Sequence, residues 1–204
     1  MNSHIDEYKN NFEEKFSWRK DEYIENMKRL AEISKSYGID PFKAFPSLFV
    51  PMSDNPIDAL RYSVLMLTYE ATICFIFGIF QSCILTCGSI VERVLKLEYL
   101  EKNQQFPKNG NWTLGHCIYK LNWTDTRISP EILDFAKQIV EPRNSRIHGL
   151  LENSDPQLSI MGGKNRGIRF LSSTHYMIEP YRGEAEMLIT IVFEILTRLY
   201  LKET

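Results

Sequence analysis

Apolar residues recur at Ile5, Tyr8, Phe12 and Phe16, then at Tyr23, Met27, Leu30 and Ile33, with charged residues between them. The spacing is close to 3.6 residues and predicts one long amphipathic helix over 6–37. Gly38 suits its C-terminal stop, and Pro41 follows. The other face of this helix is heavily charged, so residues 1–38 read as a helical arm lying on a bundle. Residues 39–55 hold Pro41, Pro46, Pro51 and the Ser53-Asp54-Asn55 cluster and read as a linker. Asp54 or Asn55 can cap the next helix, with Pro56 just inside its start.

From Pro56 to Leu100 the pattern is helical with few breaks, as two pieces or one long kinked helix. Between Glu70 and Glu92 no residue is charged. At ~1.5 Å per residue that run is long enough to span a bilayer. Thr72, Gln81, Ser82, Thr86 and Ser89 interrupt it, and Gly78 and Gly88 weaken it. A helix buried at the centre of a bundle fits the pattern better than a membrane span. Residues 103–111 form a loop. Leu114, Ile118 and Leu121 share a face of a short helix over 113–121, and 122–127 form a turn. Ser129 caps the next helix, with Pro130 at its first position and Ile132, Phe135, Ala136 and Ile139 as its apolar stripe.

Residues 151–180 are the least helical. A Gly-rich turn at 162–167 between extended segments 158–161 and 168–171 predicts a small β-hairpin. Gly183 to Leu201 is a closing helix. The expected fold is all-α: a helical bundle over 56–204, with an extra N-terminal helix and an irregular insertion before the last helix.

Composition narrows the class. The 204 residues are 44% hydrophobic and 25% charged, as in a globular domain. The net charge of −2 argues against coating nucleic acid by bulk charge, but leaves room for a local basic site. Cys74, Cys83, Cys87 and Cys117 form no CxxC pair and read as reduced thiols of a cytoplasmic protein. The N-terminal residues lack the apolar centre of a signal peptide.

One segment differs from its surroundings. Arg143-Asn144-Ser145-Arg146-Ile147-His148 places two arginines, an amide, a hydroxyl and an imidazole in six residues, between Pro142 and Gly149. Histidine moves protons near neutral pH, and arginine stabilises charge on phosphate oxygens. On a helix, Asn144 and His148 share a face, whereas Arg143 and His148 lie about 140° apart. Two copies facing each other across a two-fold axis would pool both pairs in one cleft. The same residues also suit ordinary capping of a helix C-terminus before Gly149.

The segment resembles the R-x(4–6)-H motif of the HEPN superfamily, in its R-N-x-x-x-H form. The apolar stretch from Phe80 through Gly88 to Lys96 resembles the family's second core helix, and Thr113 to Ile118 its next, short helix. The resemblance covers roughly residues 57–150 and the final helix. It implies a HEPN-like up-down four-helix bundle that dimerises: a homodimeric, metal-independent endoribonuclease with a composite active site, no cofactor, and a place in toxin–antitoxin or antiviral defence. Arg143 and His148 would be the catalytic pair and Asn144 the polar helper, leaving 2′,3′-cyclic phosphate ends on RNA. Arg146 and Ser145 would contact RNA, with Lys164 and Arg166 lining its entrance. Glu92 falls where some members carry an acidic helper; an exposed face charge is the competing reading. An antitoxin or another regulatory protein is the expected partner besides RNA. The alternative is a non-catalytic HEPN module that binds a nucleotide or a protein.

Other residues carry less. His116 reads as a partly buried histidine, and His175 has no partner in sequence. The 162–167 segment lacks the P-loop pattern. Trp112 and Trp123 read as anchors of the short helix.

Overall fold

The computed structural model describes residues 3–40, 45, 48, 54–105, 112–152 and 179–201. Within its helices, the side chains of 3–19, 146–152 and 179–180 fall outside the described set. The described residues form six helices and no strand: α1 (Ser3–Tyr37), α2 (Pro56–Ile76), α3 (Phe80–Asn103), α4 (Leu114–Lys120), α5 (Pro130–Glu152) and α6 (Glu179–Tyr200). The fold is therefore all-α over the described residues. The expected hairpin at 158–171 lies outside them.

Local chemistry sets the helix ends. Asn55 caps α2 by accepting from the Ile57 N–H at 3.0 Å, and Pro56 sits in its first turn. Thr113 caps α4 through the His116 N–H, and Ser129 caps α5 through the Ile132 N–H, both at 3.3 Å. Gly38 closes α1 with a positive φ of 65°. Gly38 N–H donates to Lys35 and Ile39 N–H to Ser34, the paired closure of a Schellman motif.

The same device breaks the uncharged run. At Gly78, φ is 71°, Gly78 N–H donates to Phe75, and Ile79 N–H donates to Cys74. The chain turns there into α3, so residues 71–91 do not form one continuous helix. Of the two forms expected for 56–100, two pieces or one long kinked helix, the structure has two pieces. α2 alone is long and apolar enough to cross a membrane by length and composition. Two other boundaries differ from expectation. α5 does not stop before Gly149 but continues to Glu152, and the last helix begins at Glu179 rather than Gly183.

α3 is the central element, packed on α2, α4, α5 and α6. Its buried Cys83, Ile84, Cys87, Ile90, Val91, Val94 and Leu95 belong to one core cluster with Val64 and Phe75 of α2 and Leu188, Val192 and Phe193 of α6. Burying each large apolar side chain contributes roughly 1.5–3 kcal/mol. The second half of α1 belongs to this bundle: Leu30 is buried in the core, and buried Asn26 donates to the Ile76 carbonyl at 3.2 Å. Arg29–Glu186 and Glu22–Arg182 ion pairs at 3.0 and 3.3 Å run α1 alongside α6.

A polar cluster ties the other end. Glu98, buried on α3, takes two hydrogen bonds from Arg127 at 3.0 and 2.8 Å and one from the Tyr200 hydroxyl at 3.0 Å. Arg127 also reaches Glu101 at 2.9 Å, and Glu101 takes Arg61 of α2 at 2.7 Å. Burial pushes the Glu98 carboxyl above its usual range, against the pull of Arg127.

Candidate functional site

The site is built on the contact between α3 and α5. Arg143 crosses α3 at Gly88. A Cβ at position 88 would lie 2.9 Å from the Arg143 Cγ and 3.1 Å from its Nε, and would overlap its Cδ. A side chain at position 88 would force the Arg143 side chain to shift. One turn along α3, Glu92 receives the guanidinium: Arg143 Nη2 stands 3.2 Å from Glu92 Oε2. The same oxygen accepts the Leu114 N–H of α4 at 3.0 Å, and Oε1 takes Lys96 Nζ at 2.6 Å.

Glu92 therefore joins three elements. It fixes the first turn of α4, a lysine on its own helix and the first arginine of the motif. Arg143 and Glu92 are 20% and 17% exposed, so their pairing is shielded but not sealed from solvent. A charge-assisted hydrogen bond is ordinarily stronger than a neutral one. Glu92 is thus an anchored acceptor and not the exposed face charge of the competing sequence reading.

Around this centre, α4 is held by aromatic packing. Tyr99 meets Trp112 and Trp123 edge-on at 5.4 and 6.0 Å, and Trp123 Nε1 donates to the Cys117 carbonyl at 3.0 Å. Both tryptophans anchor the short helix, as expected. His116 lies 6.4 Å from the Trp112 ring. Burial pushes the Cys117 thiol up to about 11, so it is a packed neutral group.

The remaining candidates divide by position. Asn144 and Ser145 are exposed on α5, and the Ser145 hydroxyl donates to the Pro142 carbonyl at 3.0 Å. Arg146 and His148 are on the same helix, and helical spacing puts positions 144 and 148 on one face. The side chains of Arg146 and His148 lie outside the described residues, as do Lys164 and Arg166 altogether. The structure therefore brings together Arg143 and Glu92 and adds Gly88, Lys96 and the Leu114 amide to them.

Sequence reasoning missed Lys96, although Glu92 and Lys96 at i, i+4 are a standard helical ion pair. The role of Gly88 was readable only as a small residue one turn before an acid. Among the described residues, no three His, Cys, Asp or Glu side chains are placed to hold a metal ion. A shallow cavity of about 340 Å³ opens on α1, lined by Met27, Leu30, Ala31, Ser34, Lys35 and Ile39, and contains no motif residue. No protein-family model, curated protein or solved structure is matched by the chain.

Proposed function

We propose that the chain is a HEPN-type endoribonuclease that needs no metal and acts in toxin–antitoxin or antiviral defence in the cytoplasm. The observation that carries the reading is the Arg143–Glu92 pair across Gly88. The first residue of the R-N-x-x-x-H segment is clamped at a helix crossing, and its guanidinium is still partly open to a ligand. A free surface arginine would need no such seat.

In this reading the 2′-oxygen of RNA attacks the adjacent phosphorus. The 2′-O–P bond forms, the P–O5′ bond breaks, and a 2′,3′-cyclic phosphate and a 5′-hydroxyl result. His148 takes the proton from the 2′-hydroxyl or returns one to the leaving 5′-oxygen. Arg143 stabilises the extra charge on the phosphorane oxygens, and Asn144 orients the substrate. Glu92 positions Arg143, while Arg146, Ser145, Lys164 and Arg166 contact the RNA strand. Two copies meeting along α5 would pool both Arg143–His148 pairs in one cleft, and a regulatory protein would cover it. DNA is spared because it lacks the nucleophile.

One observation favours the second reading, a non-catalytic HEPN module that binds a nucleotide or a protein. Arg143 already has a carboxylate partner, so the crossing could serve packing alone. The test is cleavage of mixed RNA by wild type, Arg143→Ala and His148→Ala, with helix content followed by circular dichroism. The proposal expects cleavage by wild type and none by either variant at unchanged helicity. Cleavage that persists in both variants rejects it; inactivity of all three favours the binding module.

A further inference from the structure

Glu92 is one carboxylate for two cations. Its Oε2 takes Arg143 at 3.2 Å and its Oε1 takes Lys96 at 2.6 Å, and among the described residues neither cation has a second carboxylate partner. Arg143 and Lys96 are only 20% and 19% exposed, so the surplus positive charge is shielded from water. A shielded charge without a counter-ion is costly, and an anion at this place relieves that cost. Both cations keep donors for it. Among the described residues the guanidinium gives one of its N–H groups and the ammonium one of its own, and the others remain.

The place of Lys96 gives such an anion a direction. Gly88, Glu92, Lys96 and Tyr99 follow one another on α3 at spacings of four, four and three residues and form one stripe. From the crossing of Arg143 at Gly88 to Tyr99 the stripe runs about 16 Å, at ~1.5 Å per residue. It ends on aromatic rings. Tyr99 meets Trp112 at 5.4 Å, Trp112 meets His116 at 6.4 Å, and all three residues are partly exposed. Cations that track a backbone, followed by rings on which bases stack, are the means by which proteins hold a single strand. A chain of net charge −2 has no bulk attraction for RNA, so the attraction has to be local.

We infer that this stripe of α3 is a single-strand track: Arg143 takes the scissile phosphate, Lys96 the phosphate next to it, and Trp112 with His116 stacks a base beyond. The substrate class is then single-stranded RNA that continues past the cleaved linkage on this side, and not a free nucleotide. Calling the first phosphate scissile rests on the ribonuclease reading; the track itself does not.

The test is the affinity of the full chain for a short single-stranded 2′-O-methyl oligonucleotide, which lacks the free 2′-hydroxyl and stays intact. Fluorescence anisotropy reads it over a range of salt concentrations. Lys96→Met should weaken binding and reduce the slope of log affinity against log salt by about 0.7, the share of one phosphate contact on a single strand. Lys96→Arg should restore both. A lysine that only supports Glu92 would leave the slope unchanged. Trp112→Ala should weaken binding by about 10-fold, and Trp112→Phe by much less. Because Trp112 also anchors α4, a probe of the same length without bases separates stacking from folding. It should lose that factor with wild type and nothing further with Trp112→Ala.

An unchanged salt slope in Lys96→Met overturns the proposal. So does a base-free probe bound as tightly as the intact one, or adenosine monophosphate that competes as strongly as the strand. Wild type that cleaves RNA but does not bind the probe overturns the track alone. Binding as described by a chain that leaves RNA intact upholds the track and removes the ribonuclease reading.

Discussion

Arg143 lies across Gly88 so closely that a Cβ at position 88 would overlap its Cδ, and its guanidinium ends on Glu92 one turn further along α3. A glycine in the middle of a buried helix costs about 1 kcal/mol relative to alanine. Here that cost is accompanied by a defined seat for the arginine. Gly88→Ala should therefore expel Arg143 from its groove while retaining the helix. We expect RNA cleavage to fall by about 100-fold, the scale of a small misplacement of a charged group, with the circular dichroism spectrum unchanged. Full activity in Gly88→Ala would show that the seat is irrelevant to the chemistry.

Glu92 and Arg143 should be energetically coupled. A double-mutant cycle with Glu92→Gln, Arg143→Met and the combined variant should give an interaction free energy of about 1 kcal/mol in urea unfolding. A value near zero would place the pair among surface ion pairs without effect.

Arg127→Ala should be the more damaging change to the fold. It leaves Glu98, 3% exposed, buried without its main cation. Loss of one partner of a buried pair costs about 3 kcal/mol, or roughly 6–12 °C in melting temperature for a chain of this size. Glu98→Gln keeps the hydrogen bonds of one oxygen and should cost less. Differential scanning calorimetry of the two variants orders them.

The same residue sets a pH dependence. Burial raises the Glu98 carboxyl above its unfolded value. Between those two values the folded chain holds the additional proton, so stability falls as pH rises through that window. The urea midpoint of wild type should therefore carry a declining component above about pH 4.5 that Glu98→Gln lacks. An identical slope in the variant would remove Glu98 as its source.

The thiols should be inert. Burial pushes both Cys74 and Cys117 up to about 11, and Cys83 is raised by its hydrogen bond with Cys87 and by burial. At pH 8 a thiol at 11 is ionised in roughly one molecule in a thousand. A thiol reagent should label the native chain slowly and all four cysteines quickly in denaturant. The folded chain keeps these groups neutral, so stability should fall as pH rises from about 9 through 11. Fast native labelling would contradict this account of the packing.

Much of the helical layout was legible in the sequence, because capping and spacing act locally. Asn55, Pro56, Gly38, Ser129 and Pro130 mark helix ends through hydrogen bonds within a few residues. The turn at Gly78 was less visible: it interrupts an apolar run whose composition is uniform on both sides. Gly149 misled for the opposite reason, since α5 continues through it and a glycine inside a helix costs too little to stop it. The motif was legible as a composition, but its anchoring was not. Gly88, Glu92, Leu114 and Arg143 come from three helices, and only their packing brings them together.

The central claim is tested most directly by the ends of the RNA fragments. Purified wild type and His148→Ala are incubated with mixed RNA in EDTA, and the product termini are identified by mass spectrometry. The account predicts 2′,3′-cyclic phosphate and 5′-hydroxyl ends from wild type and no cleavage by His148→Ala. Equal cleavage by both proteins, or 3′-hydroxyl ends from wild type, would contradict it.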